Sequence, residues 1–232
     1  MKIYKAIPNA LTCSNLLSGC ISIWLTANGL PFWAGVMIFI GALFDFCDGF
    51  AARLLDAQSP IGADLDSLAD VVTFGVAPGF IMFDIIDHYH YGTTTSSTPW
   101  LAFLAFLLPI FSALRLAKFN IDTRQTTYFI GLPTPAMAAF VASLPIAMGV
   151  SEWQWCNIYL CVAIIVLFST LMVSNIKFFS FKIKNIGWKG NEYRWIFIVI
   201  AIVLLIVMRL TALPFIMLIY IIISLCSNSR IS

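Results

Sequence analysis

Six of the eleven acidic residues in this 232-residue chain fall between positions 45 and 70: Asp45, Asp48, Asp56, Asp64, Asp66 and Asp70. Asp45 and Asp48 interrupt an apolar run, and a charged side chain in hydrocarbon costs about 2.5–3.5 kcal/mol even on the lenient insertion scale. Both must therefore face protein, water or an ion. On a helix Asp45 and Asp48 share a face at i, i+3, and Asp66 and Asp70 share a face of the next helix at i, i+4. Arg53 to Gly62 makes the turn between them, and a rise of ~1.5 Å per residue puts both pairs on the order of 10 Å inside one end of a hairpin. Four convergent carboxylates with no lysine or arginine among them repel one another unless cations sit between them. Oxygen-only ligation suits Mg²⁺ or Mn²⁺, and one such set can hold two ions. Gly49, Ala52 and Gly62 beside the acids let a backbone or ligand approach closely. A helix pair joined through hydrogen-bonded aspartates is the alternative, but packing needs far fewer than four ionisable groups.

The rest of the chain is built to hold such a hairpin in a bilayer. It is 61% apolar and only 10% charged, against roughly 25% charged in soluble domains, so it cannot cover a water-facing surface. Nucleic-acid binding, secretion and disorder are excluded, and the expected class is all-α, a polytopic membrane helical bundle. Apolar runs long enough to span fall near residues 10–28, 31–55, 64–86, 99–119, 133–150, 155–175, 193–210 and 212–228, eight in all, the last break near Arg209 to Thr211 being the weakest. Pro109 and Pro145 inside two of these spans are expected to kink them. No separate soluble domain fits, so residues 1–232 form one membrane domain.

With eight spans, every lysine and arginine except Arg209 falls on one side, which makes that side and both termini cytoplasmic. The basic segment Lys177 to Arg194, with Trp188 and Trp195, suits an anionic membrane surface. The opposite side carries Asp84, Asp87, His88, His90 and Glu152; two histidines without a third ligand read as loop residues and not as a metal site. The six cysteines show no CxxC pairing and mostly lie in apolar runs, as small hydrophobes do. The N-terminus, with Pro8, Asn9, Thr12, Ser14 and Asn15 before any clean apolar stretch, reads as the start of the mature protein.

As one string the acidic hairpin reads Asp45-Phe-Cys-Asp48-Gly49-Phe-Ala-Ala52-Arg53, eight residues, then Gly62-Ala-Asp-Leu-Asp66-Ser-Leu-Ala-Asp70. It resembles, without a departure, the DxxDGxxAR, eight residues, GxxxDxxxD signature of the CDP-alcohol phosphotransferases. IPNALTCSNLLSG before it, and SLADVVTFGVAP, RLAKFN (Arg115 to Asn120) and GLPTPAM (Gly131 to Met137) after it, look like the membrane-embedded phosphatidylserine synthases. Specific similarity covers residues 7 to 137.

The resemblance implies the helical CDP-alcohol phosphotransferase fold, phospholipid synthesis in the cell (inner) membrane with the site facing the cytoplasm, and a homodimer. It implies that Asp45, Asp48 and Asp66 ligate two divalent ions, Mg²⁺ or Mn²⁺, at the pyrophosphate of CDP-diacylglycerol, with Asp70 contributing to the metal site and acting as general base. CDP binding would fall to Asp48, Gly49, Ala52, Arg53, Gly62 and Asp66. For L-serine as acceptor, Arg115, Lys118 and Asn120 are candidates for its carboxylate, though topology alone would also place basic residues there. Asn9, Thr12 and Asn15 share a helical register and are candidates to line the same cavity.

Two other functions compete. A phosphatidylglycerophosphate synthase would need a cationic cluster for the acceptor's phosphate, which Arg115, Lys118 and Arg124 could supply. A cation or proton transporter would place acids near the midplane on several spans or in repeated halves, whereas these four lie in one hairpin near one face.

Overall fold

The computed structural model describes residues 6–92, 99–122, 128–150, 157–179 and 192–231. The opening hairpin pairs α1 (Ile7–Ala27) with α2 (Pro31–Leu54). Gly29, at φ +70°, ends α1, and the Leu30 amide returns to the Leu25 carbonyl at 2.9 Å. A left-handed residue past the last turn favours glycine, and Pro31 then starts α2 where no amide is required. Ser59 caps α3 (Pro60–Val71), its hydroxyl accepting from the Gly62 amide at 3.1 Å, with Pro60 again at the first position.

A π-helical turn, Val72–Val76, joins α3 to α4 (Ala77–Gly92). Pro78 offers no amide to the Phe74 carbonyl, and the backbone widens there. A 3₁₀ stretch, Pro99–Phe106, leads into α5 (Leu107–Ile121), followed by β1 (Tyr128–Ile130), α6 (Thr134–Val150), α7 (Ile158–Val173) and β2 (Lys177–Phe179). β1 and β2 pair antiparallel, Ile130 opposite Lys177. Finally α8 (Glu192–Met208) passes through a 3₁₀ turn, Arg209–Ala212, to α9 (Leu213–Ile231).

The protein is a multi-pass helical membrane protein. Large apolar side chains face outward, among them Leu17, Trp24, Leu43 and Ile206, while the buried face of α1 is a row of Thr12, Asn15, Ser18, Ser22 and Thr26. Small polar residues between helices allow close approach and bond across the interface: the Ser22 hydroxyl donates to the Ala34 carbonyl at 2.9 Å. Gly19 and Gly41 admit Thr73 between α1 and α2; a methyl on either would come within 2.6 Å and 2.5 Å of its side chain.

Five described segments are long and apolar enough to cross a membrane, where eight were expected. The α6 and α7 helices, at 17 and 16 residues, are shorter than a straight crossing of ~20. The fifth segment, Tyr193–Leu225, contains the break at Arg209–Ala212. There the chain reverses, because the Phe197 and Tyr220 rings meet at 6.1 Å, and a continuous helix would hold them roughly 35 Å apart. Pro145 lies inside α6, but Pro109 falls in the first turn of α5, where its missing amide disturbs no ladder. Lys2, Lys5, Arg124, Glu152, Lys182, Lys184, Trp188 and Lys189 lie outside the described residues. Among the described residues Cys13, Cys20 and Cys47 are free.

Candidate active site

Helices α2 and α3 bring one carboxylate oxygen from each of Asp45, Asp48 and Asp66 within 4.8 Å of one another. Asp70, expected with them, is outside this close group and lies one turn further along α3, buried against α1. The first helix reaches both pairs. The Thr12 hydroxyl is 2.6 Å from Asp48 Oδ2 and 3.0 Å from the Pro8 carbonyl, and Asn15 Nδ2 donates to Asp70 Oδ1 at 3.1 Å. Asn15 is itself held through its carbonyl, which accepts from the Thr73 hydroxyl at 2.9 Å. Sequence register placed Thr12 and Asn15 on one face; their partners were not visible in it.

Asp66 Oδ1 is buried with no hydrogen-bond partner. A buried carboxylate oxygen left in this way is costly, and beside two more carboxylates it fits a hard divalent cation, which takes oxygen ligands. Asp45, Asp48 and Asp66 are the residues that fit such an ion.

Two cavities meet at Asp66. The first, about 510 Å³, is lined by Asn9, Thr12, Asp48, Gly49, Ala52 and Gly62, and so collects most of the residues expected to bind CDP. A Cβ at Gly49 would meet nothing within 4 Å, so this glycine leaves open space, whereas one at Gly62 would press on Ser59 and Asn9. Arg53 does not line it. Its Nε donates to the Gly49 carbonyl at 2.9 Å, and it borders the second cavity instead.

That second cavity, about 910 Å³, is lined by the polar Asp66, Ser67, Asp70, Arg115 and Asn120 and by mostly apolar residues, among them Phe46, Phe129, Phe197, Ile216 and Tyr220. Arg115 is 6% exposed, its Nε has no hydrogen-bond partner, and its guanidinium carbon lies 4.9 Å from the Phe119 ring centre and 5.9 Å from that of Phe129. Buried, stacked and incompletely bonded, it is prepared for an anion. Asn120 Nδ2 donates to Ser67 Oγ at 2.8 Å, tying α5 to α3. Lys118 is separate, on a polar cavity of about 360 Å³ that also touches Arg115. The wall from α8 and α9 went unread in the sequence, where Tyr220 is one aromatic in an apolar run.

Carboxylates grouped for a cation between a nucleotide-sized pocket and a larger cavity, with a further carboxylate and a cationic side chain in the latter, suit transfer of a phosphoryl-linked group. The family model for CDP-alcohol phosphatidyltransferases matches residues 5–173. The chain belongs to that family. It is similar to a CDP-diacylglycerol--serine O-phosphatidyltransferase of Helicobacter pylori (strain ATCC 700392 / 26695), 34% identical over 218 residues, covering 93% of this chain and 87% of the relative. One of the same name from Bacillus subtilis (strain 168) is 36% identical over 195 residues, taking in 98% of that protein and 82% of this one. An archaetidylserine synthase of Methanothermobacter thermautotrophicus is 30% identical, over 75% of this chain and 70% of its own. The family uses a divalent metal, and among the described residues Asp45, Asp48 and Asp66 form a group that could hold one.

Proposed function

We propose that the protein transfers the phosphatidyl group of CDP-diacylglycerol to the hydroxyl of L-serine, giving phosphatidylserine and CMP. The observation that carries this is the carboxylate group of Asp45, Asp48 and Asp66 at the junction of the two cavities, and the names of the relatives support serine as acceptor. Asp45, Asp48 and Asp66, with Asp70 at the edge, would hold two ions, Mg²⁺ or Mn²⁺, which supply charge neutralisation at the pyrophosphate.

The chain's own residues do the rest. Gly49, Ala52 and Gly62 make room for the cytidine, and Arg53, anchored on Gly49, pairs with phosphate from the second cavity. Asp70 takes the proton from the attacking hydroxyl, held in orientation by Asn15. Arg115 receives the serine carboxylate through a charge-assisted bond, with Asn120 beside it and Lys118 drawing the anion inward. The hydroxyl oxygen forms its bond to the phosphorus that carries diacylglycerol, and the bond to CMP breaks in line.

The same reading makes residues 1–232 one domain of a homodimer in the inner membrane, with both termini and the site on the cytoplasmic side. The test is purified protein supplied with CDP-diacylglycerol and either serine or glycerol 3-phosphate, following CMP and the lipid product. Phosphatidylserine is the expected product; exclusive phosphatidylglycerophosphate would reassign the acceptor, and no CMP release with either would overturn the proposal.

A further inference from the structure

Helices α8 and α9 lie beyond the family match, which ends at residue 173. Yet the hairpin reaches the reaction cavity: Phe197, Ile216 and Tyr220 line it together with Asp70 and Arg115. These three are 9%, 6% and 5% exposed, while Ile206, Val207 and Ile222 of the same helices are more than half exposed. The hairpin thus presents buried side chains to the cavity and part of its surface outward.

The chemistry gives those side chains a purpose. A carboxylate placed to take a proton from an alcohol takes one equally well from water, and water is the most abundant competitor. At the base itself the two oxygens are alike, and exclusion of water distinguishes them. We propose that the α8–α9 hairpin is the water-excluding wall of the acceptor cavity, with Phe197, Ile216 and Tyr220 determining that phosphatidyl transfer goes to the alcohol and not to water. In the reaction it suppresses, the water oxygen bonds to the phosphorus bearing diacylglycerol. The bond to CMP breaks with its electron pair leaving on CMP, and the water proton passes to Asp70. The products are phosphatidate and CMP. This inference rests on the proposed transfer reaction.

The test uses the full-length protein in vesicles with CDP-diacylglycerol, serine and ¹⁸O-labelled water, counting CMP, phosphatidylserine and labelled phosphatidate. In the wild type, CMP should match phosphatidylserine. In Phe197→Ala, Ile216→Ala and Tyr220→Ala the phosphatidate share should rise, about tenfold for each ~1.4 kcal/mol of discrimination lost. Tyr220→Phe, which keeps the ring, should retain the wild-type ratio. An unchanged ratio in monodisperse Ile216→Ala and Phe197→Ala overturns the inference, as does an equal rise in Tyr220→Phe and Tyr220→Ala. If the wild type forms a different phosphatidyl alcohol, only the acceptor assignment fails, because the ratio of that product to phosphatidate tests the wall equally.

Discussion

The hairpin formed by α1 and α2 and the one formed by α8 and α9 bring different side chains to the site. In the first, directional bonds hold Asp48, Asp70 and the helix faces around them: Thr12 to Asp48, Asn15 to Asp70, Thr73 to the Asn15 carbonyl, Ser22 to the Ala34 carbonyl. In the second, rings and branched side chains meet by shape, as where Phe197 packs edge-on against Tyr220. Directional contacts lose their energy with a small displacement or the loss of one atom, whereas apolar packing yields gradually as volume is removed. Chemistry that needs exact distances sits on the first kind of scaffold, and shielding can be left to the second.

The sharpest break of this contrast is at the carboxylates. Asp45→Asn or Asp66→Asn should abolish transfer in protein that remains folded and inserted, and chelation should stop the wild type reversibly; full activity of either variant at saturating Mg²⁺ and Mn²⁺ would remove these residues from the metal site. Asp70→Asn should lower kcat by about 10²–10⁴ with both substrates saturating, the usual contribution of a positioned base. Mn²⁺ and CDP-diacylglycerol binding must be measured alongside, and an unchanged rate with both bindings intact means Asp70 is not the base. Arg115→Met should raise KM for serine about 10–100-fold, the loss of one charged hydrogen bond, and move KM for CDP-diacylglycerol far less. A change confined to the lipid substrate would place Arg115 at the pyrophosphate.

Thr12→Val keeps shape and removes one donor to Asp48, so metal affinity should fall about 10-fold, the lower end of what outer-shell partners contribute, as read by Mn²⁺ titration; unaltered affinity would make that hydrogen bond incidental. At the other extreme, Val207→Ala on the outward face of α8 should shift thermal stability by less than about 0.5 kcal/mol, and a larger shift would show that this face is packed against something.

Much of the site was legible because charge inside an apolar run stands out. Asp45, Asp48, Asp66 and Asp70 declare themselves by what they interrupt, and helical spacing is enough to put each pair on one face. What they touch is decided by contacts across tens of residues, so the bonds from Thr12 and Asn15 could not be read. Arg53 was assigned to the nucleotide side by its place in the motif, but its return to the Gly49 carbonyl turns it toward the second cavity. The helical class followed from apolar runs and their breaks, of which the weakest, near Arg209 to Thr211, coincides with the turn at Arg209–Ala212, while α6 and α7 fall short of the length a straight crossing needs. Two three-residue strands and a π-helical turn carry no periodicity to detect. Tyr220 was hidden for the reverse of the reason that exposed the aspartates: an aromatic in an apolar segment interrupts nothing.

The polar face of α1 also bears on how the chain enters the bilayer. Of the five long segments α1 is the least apolar and the Tyr193–Leu225 segment the most. A lone helix presenting Thr12, Asn15 and Ser22 to lipid partitions poorly, since groups that bond to another helix in the finished fold would meet only hydrocarbon. Only Asn28, Gly29 and Leu30 separate it from α2. During synthesis, α1 is therefore best inserted jointly with α2, as a preassembled pair leaving the translocation machinery together, while the C-terminal segment is apolar enough to partition unaided.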